Sequence, residues 1–262
     1  MKYPNKVSEH IVSWIDNYIN ESGVKGIVVG VSGGVDSALT STLCAETGQN
    51  VLCLEMPIYQ NKDQVSRSKK HIDWLKSKYT NVNSKKIELD KTFESFVSSL
   101  PNNSSDKHEL CLANTRSRLR MVTLYYFSAL NGYIVAGTGN RVEDFGIGFY
   151  TKYGDGGVDI SPIADLLKSE VFSLAKFHKI IDEIIEAEPN DGLWNDNRSD
   201  EDQIGASYEE IETAMINFDK NEDLSHREKE VLKIYKSFYT ANKHKMDPIP
   251  AVSYTHLRAH ET

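Results

Sequence analysis

Apolar positions along the chain switch between two periods. Over residues 5–21, Val7, Ile11, Trp14, Ile15, Tyr18 and Ile19 recur at helical spacing, and Gly23 stops the run. "GIVVGV" (26–31) and "VLCLEMP" (51–57) are short apolar runs bounded by glycine or proline, which predicts strands. Residues 36–47 fit one helix between them, giving a β–α–β unit with parallel strands. Beyond it the pattern predicts a helix at 61–79, a strand at 85–89, a long helix at 109–131 and a strand at 132–137. Periodicity fades over 137–170, which is rich in glycine, charge and aromatics. Helices resume at 168–180, 207–217 and 225–241 around a polar loop at 188–203. The alternation predicts an α/β fold: a doubly wound, mainly parallel sheet with helices on both faces.

Composition narrows the ligand classes. With 39% hydrophobic and 26% charged residues over 262 positions, the chain has ample apolar content for a core. No apolar run approaches the roughly 20 residues that span a bilayer, and "MKYPNKVSEH" lacks a signal-type segment. The expectation is a cytoplasmic protein with no membrane partner. Cys44, Cys53 and Cys111 are far apart and read as small buried hydrophobes of a reducing compartment. A net charge of −8 argues against a nucleic-acid partner, so an anionic ligand has to meet a local basic cluster.

The candidate chemistry begins at "SGGVDS" (32–37), between the first strand and its helix. Ligands of open parallel sheets bind outside the carboxyl ends of the strands. Gly33 and Gly34 have no Cβ to hold phosphate oxygens away, and the helix beginning near Asp36 presents unpaired N–H groups to the same anion. Ser32 and Ser37 offer hydroxyl donors. The lysine of a G-x-x-x-x-G-K-[ST] loop is missing and an aspartate is present. Beside phosphates, Asp36 reads best as a Mg²⁺ ligand, because Mg²⁺ takes one or two carboxylates plus phosphate oxygens. A plain strand-to-helix turn capped by Ser32 or Asp36 is the bland alternative.

Downstream, "GTGNRVEDFGIGFYTKYGDGGVDISPIADLLKSEV" (137–171) adds Thr138, Glu143, Lys152, Asp159 and Lys168. Glu143 suits a second Mg²⁺ ligand, and Lys168 suits a cation that meets charge on departing pyrophosphate. Arg116, Arg118 and Arg120 are spaced two apart on a helix, so one or two of them face a ligand, or all three form a solvated basic face. His244 and Lys245 close the last helix, where a basic pair also complements the helix dipole.

The S-G-G-x-D-S string resembles the pyrophosphate loop of the ATP-pyrophosphatase (adenine nucleotide α-hydrolase) superfamily, which adenylates an acceptor and releases pyrophosphate. GMP synthetases, argininosuccinate synthetases and tRNA-modifying enzymes share that loop. The order and spacing of "SGGVDS", R-x-R-M (118–121), GT-x₄-E (137–143), FYTKYGDGG-x-D (149–159), "LLKSEV" (166–171), DE-x₃-G-x-SY (200–208) and the terminal "HK" (244–245) are more specific. From about residue 5 to Pro250 they resemble the bacterial ammonia-dependent NAD synthetases.

The resemblance implies an adenine nucleotide α-hydrolase-like fold, a single domain over 1–250, and amidation of deamido-NAD by ammonia through an acyl-adenylate, with ATP and Mg²⁺. Gly30, Val31, Ser32, Gly33, Gly34, Val35, Asp36 and Ser37 would bind ATP, with Thr138, Lys168 and Asn190. Asp36 and Glu143 would hold Mg²⁺. Arg118, Lys152, Asp159, His244 and Lys245 would contact deamido-NAD, and Asp159 is also the candidate for binding or deprotonating ammonium. Asp36, Lys168 and Asp159 are thus the candidate catalytic residues. The family is an intertwined homodimer with the dinucleotide at the subunit interface, and the helix 109–131 with "LYYF" (124–127) is a candidate part of it.

The sequence departs from the family in three places. Asn190 stands where relatives carry Thr or Ser, and Glu55 where many carry arginine. "AVSYTHLRAHET" (251–262) matches nothing in the family and reads as a non-native or disordered tail. The competing readings are a tRNA-modifying adenylating enzyme, which needs a basic RNA-binding face, and a non-catalytic adenine-nucleotide sensor. A glutamine-dependent NAD synthetase would need an amidase domain, for which the matching span leaves no room.

Overall fold

The β-branched runs pair into one parallel sheet. In the computed structural model, which describes residues 1–102, 104–190, 199–218 and 224–253, the strands are β1 (Ile27–Gly30), β2 (Val51–Glu55), β3 (Val82–Lys86) and β4 (Ile134–Ala136). Their order is β3–β2–β1–β4, with Ile27 opposite both Val51 and Ile134. The central strand β1 is buried on both faces, as parallel strands covered by helices are.

The helices are α1 (Pro4–Ser22), α2 (Val35–Glu46), α3 (Lys62–Lys78), α4 (Asp90–Ser98), α5 (His108–Asn131), α6 (Lys168–Phe177), α7 (Asp182–Ile185), α8 (Asp200–Ile204), α9 (Tyr208–Ile216) and α10 (His226–Met246). Alternation along the strands divides the core. Ile27, Val29 and Cys53 pack with Ile15 and Ile19 of α1, Leu39 and Leu43 of α2, Leu75 of α3, Leu174 of α6 and Ile184 of α7. Val28, Leu52 and Leu54 face the other way, onto Phe93 of α4 and, more peripherally, Leu124 and Phe127 of α5. This is the expected doubly wound arrangement. A third cluster, Val142, Ile147, Ile204, Ile211, Val231 and Tyr235, joins α8, α9 and α10 to the irregular segment after β4.

Two differences from the sequence reading have physical causes. β3 begins three residues before the expected 85–89. It is an edge strand with only Val82 buried, and its exposed lysines blunt the open edge, so it carries almost no apolar alternation. The apolar residues of "KKIEL" lead instead into α4, a helix the pattern did not mark, where Leu89 and Phe93 close the core. Cys44 and Cys53 are buried as expected, but Cys111 is exposed near the start of α5.

Connections place the site. β1 reaches β2 through α2 on one face, while β4 is reached through α4 and α5 on the other. The switch between neighbours β1 and β4 opens a crevice at their carboxyl ends. "SGGVDS" leaves β1 there, and "GTGN" leaves β4 beside it. Among the described residues, no helix is long and apolar enough to cross a membrane. Residues 191–198 of the polar loop and 254–262 of the C-terminal tail lie outside the described residues.

Candidate active site

A cavity of about 540 Å³ lies over this switch point. Its floor is the loop Gly30–Ser37, which is held by its own serines. Ser37 Oγ accepts from Ser32 N at 3.1 Å and donates to Gly34 O at 3.0 Å. Ser37 thus braces the loop from within while lining the cavity. Gly33 has φ +87°, and a Cβ there would stand 2.5 Å from the backbone oxygen of Gln64 in α3. Only glycine fits that turn. The N-terminus of α2 has no side-chain cap and its residues Val35, Asp36 and Ser37 line the cavity, which makes its first backbone N–H groups an anion cradle.

The cavity wall brings together residues far apart in sequence. Lys168, buried at the start of α6, places Nζ 2.6 Å from Asp36 Oδ2 and 2.8 Å from Glu143 Oε1. Glu143 begins a π-helical turn, Glu143–Ile147, inside the irregular segment. Asn140, fully buried, donates to Asp36 Oδ1 at 2.9 Å and accepts from the backbone N–H of Glu143 at 3.0 Å. The Tyr208 hydroxyl donates to Glu143 and also lies 3.2 Å from Asp200 Oδ2, and its ring stacks under Lys168 Nζ. Burial disfavours the charge on Lys168, but its two carboxylates outweigh burial and raise its pKa above the usual lysine value. Burial raises Asp36, whereas Lys168 and Tyr208 more than offset burial at Glu143 and lower it. The cluster is thus an ionised lysine shared by two carboxylates. The two oxygens that converge are both bonded to Lys168 Nζ, and among the described residues no group of three or more His, Cys, Asp or Glu side chains is placed to hold a metal; a Mg²⁺ ion here would have only Asp36 and Glu143 as protein ligands and would need phosphate and water for the rest of its shell.

Thr138 and Asn190 line the same cavity, and the Asn190 carbonyl accepts from Gln64 Nε2 at 3.5 Å. The expected substrate contacts form a separate group at the rim. Arg118 donates to the Lys152 carbonyl at 3.3 Å, and Lys152 Nζ donates to the His244 carbonyl at 2.7 Å. Lys245 reaches the cavity itself, where Nζ donates to the Tyr150 carbonyl at 2.8 Å. Asp159 stands apart. Its carboxylate accepts from Val135 N at 2.8 Å and from the Tyr125 hydroxyl at 3.0 Å, so it anchors β4 and is not a cavity residue. Asp155, four positions earlier, does line the cavity, held by Ser117 Oγ at 2.6 Å. Of the three arginines on α5, Arg120 lines the cavity and Arg116 lies over the Phe93 ring. Asn140, Asp155, Asp200 and Tyr208 join the site without a sequence signal of their own. Each lies inside a quoted string, but their roles depend on partners up to 104 positions away.

Comparison with known proteins meets this geometry. The profile of the family described as NAD synthase matches residues 7–248. The chain belongs to the NAD synthase family. It is therefore a carbon–nitrogen ligase of NAD biosynthesis. An NH(3)-dependent NAD(+) synthetase from Carboxydothermus hydrogenoformans is 39% identical over 211 residues, 80% of this chain and 84% of that protein. The structure of an NMN synthetase from Francisella tularensis superposes with TM-score 0.85 at 28% identity, covering 96% of this chain and 99% of that one. An NH3-dependent NAD synthetase from Campylobacter jejuni, solved with nitrate, gives TM-score 0.77 at 27% identity over 95% and 99%. The NAD synthase assignment agrees with the resemblance carried by "SGGVDS" and "FYTKYGDGG".

Proposed function

We propose that this NAD synthase amidates the nicotinate carboxyl of deamido-NAD with ammonia, using ATP and forming an acyl-adenylate. One observation carries the reading. The uncapped N-terminus of α2 and the Asp36–Lys168–Glu143 cluster face the same cavity. The N–H groups of the Gly30–Ser37 loop bind the ATP phosphates, with Thr138 and Asn190 at the edge of that site. The nicotinate carboxylate attacks the α-phosphorus, and the bond from that phosphorus to the β-bridging oxygen breaks. Charge growing on pyrophosphate is met by the loop N–H groups and by Lys168. Mg²⁺ held by Asp36 and Glu143 would neutralise phosphate oxygens. Ammonia then attacks the acyl carbon, the bond from that carbon to the AMP oxygen breaks, and the proton lost from nitrogen passes to solvent as AMP leaves. No side chain acts as a nucleophile.

The ammonium-facing carboxylate in this reading is Asp155, because both oxygens of Asp159 are engaged elsewhere. Arg118, Lys152, His244 and Lys245 bind the rest of the dinucleotide at the rim. A second copy of the chain completes that rim: Val122, Tyr126 and Leu130 are 59, 62 and 65% exposed at successive turns of α5. Activity is cytoplasmic and independent of residues 251–262, which lie beyond the matched span.

A second nicotinate substrate is favoured by the likeness to the Francisella tularensis NMN synthetase. Amidation yielding NMN would start from nicotinate mononucleotide. Purified chain with ATP, Mg²⁺ and ammonium, given each nicotinate nucleotide in turn, tests both readings. Formation of AMP and NAD with the higher kcat/KM for deamido-NAD supports the first reading, and a higher value for the mononucleotide supports the second. No AMP with either refutes both.

A further inference from the structure

The phosphate loop has no lysine of its own, and the nearest buried cation, Lys168, is shared by two carboxylates. Pyrophosphate leaves carrying several negative charges, so the loop end of the cavity needs another cation. α3 supplies one. Its first two turns lie against the loop: a Cβ on Gly33 would meet Gln64 O at 2.5 Å, Ser68 N at 3.1 Å and Arg67 Cβ at 3.3 Å. Ser68 Oγ donates to Val31 O at 2.9 Å, which fixes the helix to the loop. Arg67 Nε donates to Gly33 O at 3.2 Å, and Arg67 lines the cavity. Among the described residues, no carboxylate lies within ion-pair distance of Arg67, and its two Nη groups carry no hydrogen bond. A guanidinium anchored at Nε with both Nη groups left over presents the fork that matches phosphate oxygens.

We infer that Arg67 is a further substrate-contacting residue of the reaction, binding the β- and γ-phosphates of ATP and then the pyrophosphate product. Nε holds the guanidinium to the loop carbonyl while the Nη groups take the anion. This role rests on the ATP reading of the loop. It assigns to α3 a cation that the loop lacks.

Steady-state kinetics of Arg67→Gln and Arg67→Lys test the inference, with pyrophosphate and AMP as separate product inhibitors. Gln keeps a donor for Gly33 O but removes the charge. The expected result for Arg67→Gln is a KM for ATP raised about ten-fold or more and pyrophosphate inhibition weakened by a similar factor. KM for the nicotinate nucleotide and inhibition by AMP, which lacks the β- and γ-phosphates, should stay within about two-fold. Arg67→Lys should recover part of the pyrophosphate inhibition. Wild-type pyrophosphate inhibition in Arg67→Gln overturns the inference and leaves Arg67 as a loop brace. An equal loss for ATP, AMP and the nicotinate nucleotide overturns it too, since a distorted loop would do that. If Arg67→Gln misfolds, as thermal melting would show, the comparison of Arg67→Lys with wild type decides by the same two inhibitors. Failure of the wild-type protein to release pyrophosphate would instead refute the ATP reading itself.

Discussion

The amide of Asn140 bridges the two carboxylate-bearing residues of the site: it donates to Asp36 Oδ1 at 2.9 Å and accepts from Glu143 N at 3.0 Å. Asn140 has no exposed surface and also accepts from Val142 N, so one side chain ties the loop after β1 to the turn after β4. Asn140→Ala leaves these three groups unpaired in a buried place. It should cost about 2–3 kcal/mol of stability and lower the adenylation rate about ten-fold or more. Denaturant unfolding together with ATP–pyrophosphate exchange checks both effects, and unchanged stability would contradict this account of the bridge.

Asp36→Asn should cost about 1–3 kcal/mol of stability, because one amide oxygen replaces the two carboxylate oxygens that accept from Lys168 and Asn140, and adenylation by the folded variant should fall by about a hundred-fold or more. The readout is pyrophosphate release at saturating Mg²⁺. Near wild-type turnover there would remove Asp36 from the metal assignment.

His71 gives a pH dependence unrelated to catalysis. Its ring is fully buried, with Nε2 2.9 Å from Ser41 Oγ and one face on Trp74. Burial pushes its pKa down to about 4. The unfolded chain therefore binds the proton at higher pH than the folded one does. Stability is full above about pH 6.5 and falls as pH drops toward 4, by about 3 kcal/mol at most. Chemical denaturation at pH 7 and pH 4.5 should show a smaller pH difference for His71→Gln than for wild type. Equal differences would assign the acid sensitivity to other groups.

Lys152 meets the His244 carbonyl at the rim, away from the phosphate loop. Lys152→Ala should raise KM for the nicotinate nucleotide about ten-fold, with KM for ATP changed less than two-fold. Initial-rate kinetics with each substrate varied in turn decide it. A larger effect on ATP would move Lys152 to the other ligand.

Tyr126→Asp places a charge in the exposed apolar face of α5 and should convert a dimer to monomer. Sedimentation velocity of wild type and variant at matched concentrations measures this. A monomeric wild type would refute the proposed assembly.

What was legible in the sequence follows from what is local. β1 and β2 could be read because each is a short, almost wholly buried apolar run, and α2 because its helix-length segment lies between them, although it is buried nearly all round and not on one face. β3 and α4 escape the pattern because an edge strand buries only Val82, and Ile87 and Leu89 carry the apolar signal past its end. In the site, Asp36, Glu143 and Lys168 were identifiable from charge beside glycine-rich loops, and the structure unites them. Asp159 and Asp155 sit four residues apart in one loop, so type and spacing could not rank them. The distinction is which one meets β4 backbone and which one faces the cavity. Tyr208 was hidden for a similar reason, since its partner Glu143 lies 65 positions away.

α5 serves two surfaces at once. On its inner side Ser117 holds Asp155 at the cavity, and a few turns on Val122, Tyr126 and Leu130 face outward. With that outer face covered by a second copy, pairing of the copies and alignment of the cavity wall become one event. On the proposed dimer, specific activity should therefore depend on protein concentration: strong dilution should inactivate the enzyme, and reconcentration should restore it with a lag set by the rate at which two chains meet.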